Sequence, residues 1–180
     1  MIAVAAGPAA AAQTDLAGAQ TCPSPAVSQA FAPWGDSSWY TLAPGGDFES
    51  PAWSLENGAQ IVSGSEPFAA TGTLGSSSVS LPAGSSAQSP STCVTAADPT
   101  MRFFTAGSGI VLVQVVYGRW TIPVGAINAG GQWAPSRVLQ TGSAIWGALS
   151  GGSAQISLRF TALSGDPQID DVFIDPWNRG

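Results

Sequence analysis

The sequence contains neither histidine nor lysine, and its five cations are all arginine. Without histidine, Ser-His-Asp triads, His-based acid–base catalysis and His-ligated metals are excluded. Without lysine, Schiff-base chemistry and a phosphate-binding P-loop are excluded as well. Charged residues make up 9% of the chain, against roughly 25% in an average soluble domain. Solubility therefore rests on Ser, Thr, Gln and Gly, helped by a net charge of −6. That acidic balance argues against nucleic acid as a partner and against electrostatic attachment to an anionic membrane. No apolar run approaches the roughly eighteen residues of a membrane-inserted helix. An enzyme built from what is left would use carboxylates, a cysteine or hydroxyls without their usual base, so the chain reads as non-catalytic.

Cysteine is scarce too. Cys22 and Cys93 are the only two, so one intramolecular pairing is open to them, the alternative being two buried free thiols. A bridge between them would be worth about 4 kcal/mol by loop closure and would imply an oxidising compartment. The opening "MIAVAAGPAAAAQT" is short and apolar, with Ala10, Ala11 and Ala12 placed like a signal-peptidase site. Residues 1–21 are thus expected to be leader-like or disordered, and the protein to be secreted.

What is present is a series of short apolar runs punctuated by Gly, Ser, Asn and Pro. Residues 22–37, Pro/Ser/Ala-rich, read as an extended arm, and residues 38–177 as a single domain. The runs include "AQIVSG", "SSVSLP", "TMRFFTA", "GIVLVQVVYG", "RWTIPVG", "AQISLRFTAL" and "PQIDDVFI", a spacing typical of an all-β sandwich. Ile156, Leu158 and Phe160 alternate with Ser157, Arg159 and Thr161, as a half-buried strand would. Residues 110–116, "IVLVQVV", are apolar on both faces: either the arm or a loop covers the outer one, or it is a self-association face.

Asp170 and Asp171 interrupt the last apolar run. Strand parity puts one of them towards an apolar side or the rim, where an unpaired carboxylate is costly. The counter-charge must be an arginine, Arg159 or Arg179, or a metal. Calcium suits the site because it takes carboxylate and carbonyl oxygens. A second acidic stretch, with Asp47 and Glu49, opens the domain, and first and last strands pair in many sandwiches.

The stretch "GGDFESPAWSLENGAQIVSG" resembles the opening of galactose-binding-like jelly rolls, as found in carbohydrate-binding modules. "GTLGSSSVSL" is similar to their second strand and "QIDDVFI" to their closing strand, so the resemblance runs from Gly45 to Ile174. It implies an antiparallel jelly-roll β-sandwich whose two ends meet at a structural calcium. Glu49 and Asp170 match the ligand positions, Asp47 joins them, and Asp171 and Glu66 match more loosely. The chain also resembles secreted, uncharacterised bacterial proteins with a stretch similar to "STCVTAADPTMRFFTAGSG".

Seven tryptophans suggest a sugar ligand, since flat sugar faces stack on indole. Tyr117, Trp120, Trp133 and Trp146 lie near turns and are the candidate platforms. Trp53 reads as core, and Trp34, Trp39 and Trp177 as pins for the arm and tail. Gln114, Gln132, Asn128, Arg119 and Arg137 supply polar groups nearby in sequence. Among the carboxylates Glu49, Glu56, Glu66 and Asp98, no pair stands out as a glycosidase acid and base. The expectation is a secreted, non-catalytic module binding an extracellular or cell-surface glycan. The alternative is a structural or assembly protein of the cell exterior, a homo-oligomer without a sugar ligand.

Overall fold

The computed structural model describes Cys22 and residues 26–95, 100–141 and 152–175. The leader-like segment, Asp98, Trp146, Trp177 and Arg179 lie outside the described residues. The strands are β1 (Thr41–Leu42), β2 (Ser54–Glu56), β3 (Gln60–Ser63), β4 (Ser77–Ser80) and β5 (Ser86–Gln88). They continue with β6 (Thr92–Thr95), β7 (Thr100–Tyr117), β8 (Trp120–Pro135), β9 (Leu139–Gln140) and β10 (Ser153–Asp175). The protein is all-β, an antiparallel sandwich, with one 3-10 turn among the described residues, at Ala32–Trp34.

β10 is the spine. One edge pairs with β7 along almost its whole length, and the other carries β6, β5, β4 and β1 in turn. β8 and β9 line the far edge of β7. The sequence presents β7 and β10 each as two short runs, yet each forms one strand folded at a glycine corner. Gly109 (φ 122°) faces Gly165 (φ 71°), and a Cβ on either would lie 2.0 Å from a carbonyl oxygen of the opposite strand. Only glycine allows this approach, which lets the ladder turn and contribute both ends to one core. Ile156, Leu158 and Phe160 from one end meet Ile169, Val172 and Ile174 from the other in a single apolar cluster. Trp53 joins this cluster, packing on Phe48 and Phe160 while its indole N–H donates to the Pro44 carbonyl at 3.0 Å.

The arm docks on this body. Cys22 and Cys93 form a disulfide closing a 71-residue separation. Phe31 is fully buried, stacked on Phe104 at 5.2 Å and edge-on to Tyr40 and Phe173. The Arg102 guanidinium lies 4.3 Å over the Phe31 ring and pairs with Asp36 at 2.8 Å. Burial pushes the Asp36 carboxyl up, but hydrogen bonds from Tyr40, Arg102 and Ser38 outweigh it and hold the group below its ordinary value. The described part of the arm covers Phe104 and Phe173 rather than the outer face of residues 110–116. On that stretch Val111, Val113 and Val115 are fully buried, whereas Ile110 is 36% exposed.

Candidate functional site

Both aspartates of the interrupted run are buried, Asp170 completely and Asp171 to 4% exposure. The parity expectation fails because the β7–β10 register shifts between Asp170 and Phe173, and Asp171 takes φ 44°. A bulge of this kind leaves one residue unpaired and re-aims its neighbours, and Asp tolerates the left-handed region better than most residues. Asp170 accepts from the Ser65 hydroxyl (2.8 Å), the Glu66 N–H (2.9 Å) and the Asp171 N–H (2.8 Å). Burial nonetheless pushes its carboxyl up to about 6. Burial, then the Asp170 charge, then Glu66, push Asp171 up to about 8, with Asp47 adding to the repulsion.

Glu66 completes the cluster at 1% exposure. Its carboxylate accepts the Phe68 N–H and, at 2.9 Å, the Ala70 N–H. Between them Ala69 adopts φ 54°, a conformation that costs a non-glycine residue about 1–3 kcal/mol and persists only when its surroundings fix it. Asp170 thus holds Glu66, and Glu66 holds the loop that carries Phe68.

Glu49 lies on the rim of this neighbourhood. It is exposed, accepting from Ser76 N–H (2.6 Å), Ser76 hydroxyl (2.6 Å) and Ser77 N–H (2.8 Å), and the Ser76 bonds hold its carboxyl low. A Cβ on Gly75 would lie 2.7 Å from the Ser65 hydroxyl and 2.8 Å from Glu49 Oε1, so Glu49 reaches the far side of the serine that binds Asp170. Asp47, half-buried, caps the Glu49 N–H at 3.4 Å. Among the described residues no three carboxylates converge as a ready-made metal cage. Arg159, a candidate counter-ion, pairs with Glu56 instead at 2.8 Å. The described ion pairs, Arg102–Asp36 and Arg159–Glu56, leave Glu66, Asp170 and Asp171 without an arginine.

Phe68 forms one wall of a cleft of about 580 Å³ whose other aromatic is Trp133. Phe68 is 42% exposed and is backed by Trp34, edge-on at 5.0 Å, and by Phe104 at 5.5 Å. Trp133 is half-buried against the Phe31–Phe104 cluster. Between them Gly107 and Gly131, paired across β7 and β8, give a floor without side chains. Gln132 and Gln168 add amide donors and acceptors, the Gln168 backbone being fixed by the Thr105 hydroxyl at 2.9 Å. No lining residue of this cleft is titratable. Two aromatic faces, a bare backbone floor and two amides suit the flat apolar face and equatorial hydroxyls of a sugar ring.

The expected platforms are divided. Trp133 lines the cleft, whereas Tyr117 and Trp120 sit exposed at the β7–β8 turn, the opposite end of β8. There Trp120 carries the Arg119 guanidinium 5.1 Å from its ring. Trp146 lies outside the described residues. Sequence reasoning missed Phe68 and Gln168. The signals were a buried glutamate two residues before Phe68 and a position two residues before Asp170.

Among solved structures, the chain is similar to a CBM61 module in complex with β-1,4-galactotriose, at 19% identity over 72% of this chain and 94% of that one, with a TM-score of 0.43. It is similar to CsCBM6-3 from Clostridium stercorarium in complex with cellobiose, at 20% identity, 67% and 83% coverage and a TM-score of 0.42. A family 11 carbohydrate-binding module from Clostridium thermocellum, in complex with a mixed-linked tetrasaccharide, gives 12% identity, 75% and 94% coverage and a TM-score of 0.43. No protein-family model and no curated protein matches the chain.

Proposed function

We propose that the protein is a secreted, non-catalytic carbohydrate-binding module that takes a neutral glycan between Phe68 and Trp133. The observation that carries this reading is the cleft itself: two aromatic faces over a paired-glycine floor, two amides, and no titratable lining group. Such a site can stack and orient a sugar ring but offers no acid, base or nucleophile to cleave it. The Cys22–Cys93 disulfide supports an oxidising, extracellular setting.

Calcium is the structural cation of this reading. The residues fit a hard oxygen-seeking ion in chemistry: Asp170, Asp171 and Glu66 are buried together with Asp47 nearby, Glu49 stands on the rim, and among the described residues no arginine pairs with them. A bound ion would supply positive charge in place of the proton that burial favours on Asp171.

Equilibrium binding of neutral oligosaccharides tests the glycan reading, with Phe68→Ala and Trp133→Ala beside the unaltered protein. Loss of affinity in both variants supports it. Full affinity in both places the ligand elsewhere and rejects this cleft.

A further inference from the structure

A second cleft, of about 550 Å³, lies along the β7–β8 ribbon. Thr105, Gly130 and Ala134 line it, whereas their chain neighbours Ala106, Gly131 and Trp133 line the first. The two clefts share no lining residue. The second differs in kind because it contains an arginine.

That arginine is singular among the described cations. Arg102 pairs with Asp36, Arg159 pairs with Glu56, and Arg119 lies over Trp120. Among the described residues Arg137 has neither a carboxylate nor a ring as partner. Its hydrogen bonds are two long ones, Nη2 to the Ala126 carbonyl at 3.4 Å and Nη1 to the Val138 carbonyl at 3.5 Å. A guanidinium has five N–H donors, so most of this one is unclaimed by the described residues. The chain has eleven carboxylates for five arginines, so the lack of a partner does not reflect a shortage of anions.

The surroundings hold this guanidinium at the cleft. A Cβ on Gly125 would lie 3.1 Å from Nη2 and 2.7 Å from the Leu139 side chain. The glycine therefore leaves the space in which Arg137 lies against β8. Asn128, exposed on the same cleft, adds an amide with no hydrogen bond among the described residues. Ile110, 36% exposed, together with Ala126 and Pro135, provides an apolar wall.

We infer that this second cleft binds an acidic sugar, its carboxylate or sulfate held by the Arg137 guanidinium and its ring laid against Ile110 and Pro135. The planar fork of arginine matches such anions with two parallel hydrogen bonds, and its affinity is weakened by salt. The inference rests on the reading of the sandwich as a glycan binder and extends it to a charged class of ligand at a separate cleft.

Calorimetric titration of the whole protein with tri-galacturonate, its carboxyl-reduced neutral counterpart and a sulfated trisaccharide tests it. Arg137→Ala, Arg137→Lys and Trp133→Ala are compared, each first shown by thermal melting to be folded. An acidic trisaccharide binds the unaltered and Trp133→Ala proteins equally and loses about tenfold to a hundredfold in affinity in Arg137→Ala. Arg137→Lys falls between, having charge without the fork. Whichever of the carboxylated and sulfated probes binds more tightly identifies the anion. Equal affinity in Arg137→Ala, or no acidic binding where the neutral sugar binds, overturns the inference and leaves the first cleft standing. Arg137-dependent acidic binding with neutral affinity unaffected by Trp133→Ala would instead uphold it and reject the first cleft.

Discussion

The two ends of β10 behave differently although they share one strand and one core. From Ser153 to Thr161 the residues alternate regularly and pair without a shift against β5, β6 and β7. From Gln168 to Asp175 the ladder bulges, two adjacent carboxylates are buried, and a loop 105 residues away in sequence is fastened to Asp170. The regular end is built for packing. The irregular end keeps Ile169, Val172 and Ile174 in the core but breaks the pairing at Asp171, and its Asp170 holds Ser65, Glu66 and, through Glu66, the Phe68 loop. Local rules are broken beside the proposed glycan cleft, a pattern expected when function competes with stability.

Removing core at the regular end should cost the most. Phe160→Ala empties a fully buried site beside Phe103 and Trp53, costing about 3–5 kcal/mol in denaturant unfolding. Glycan affinity per folded molecule should be unchanged. Asp170→Ala should cost about 3 kcal/mol, because two buried N–H donors and the half-buried Ser65 hydroxyl lose their acceptor, and should abolish neutral glycan binding with it. A variant that binds normally would sever the link between cluster and cleft.

Acid and calcium sharpen the comparison further. Asp170 and Asp171 have folded-state pKa values of about 6 and about 8, above their unfolded values. The folded state thus binds more protons than the unfolded state from about pH 4 to about pH 8, and stability without metal falls as pH rises through that window. Thermal melting in chelator should therefore give a higher Tm at pH 5 than at pH 8. Calcium should raise Tm most at pH 8, by about 2.7 kcal/mol in stability at one hundred times its Kd. A Tm in chelator that rises with pH, or a Tm without chelator that does not respond to added calcium, would contradict the proposed cation site. The smallest effect is expected at the β7–β8 turn. Trp120→Ala should change stability by no more than about 0.5 kcal/mol and leave neutral glycan affinity intact.

The sandwich was legible in the chain because periodicity reports burial directly: Ile156, Leu158 and Phe160 face the core as their alternation requires. Trp53 and the single cysteine pairing were readable for similarly local reasons. The glycines at 109 and 165 read as turns, since nothing in sequence shows that two glycines will face each other across a ladder. Asp170 and Asp171 were recognisable as a problem, but a bulge breaks the parity from which their directions were argued. Glu66 and Glu49 look equivalent in composition. Only the tertiary structure buries one under the Phe68 loop and leaves the other on Ser76. Trp120 and Trp133 share strand β8, and their spacing alone does not reveal that they lie at opposite ends of a ribbon folded against different neighbours.

The central claim is that the bulged acidic cluster exists to present Phe68 to a sugar. Its most direct test is titration calorimetry of a neutral oligosaccharide, such as β-1,4-galactotriose or cellobiose, against Phe68→Ala and Trp120→Ala. The account predicts a loss of about tenfold or more for Phe68→Ala, from the lost stacking face, and no change for Trp120→Ala. Unchanged binding in Phe68→Ala, with binding lost in Trp120→Ala, would contradict it and move the site to the hairpin tip.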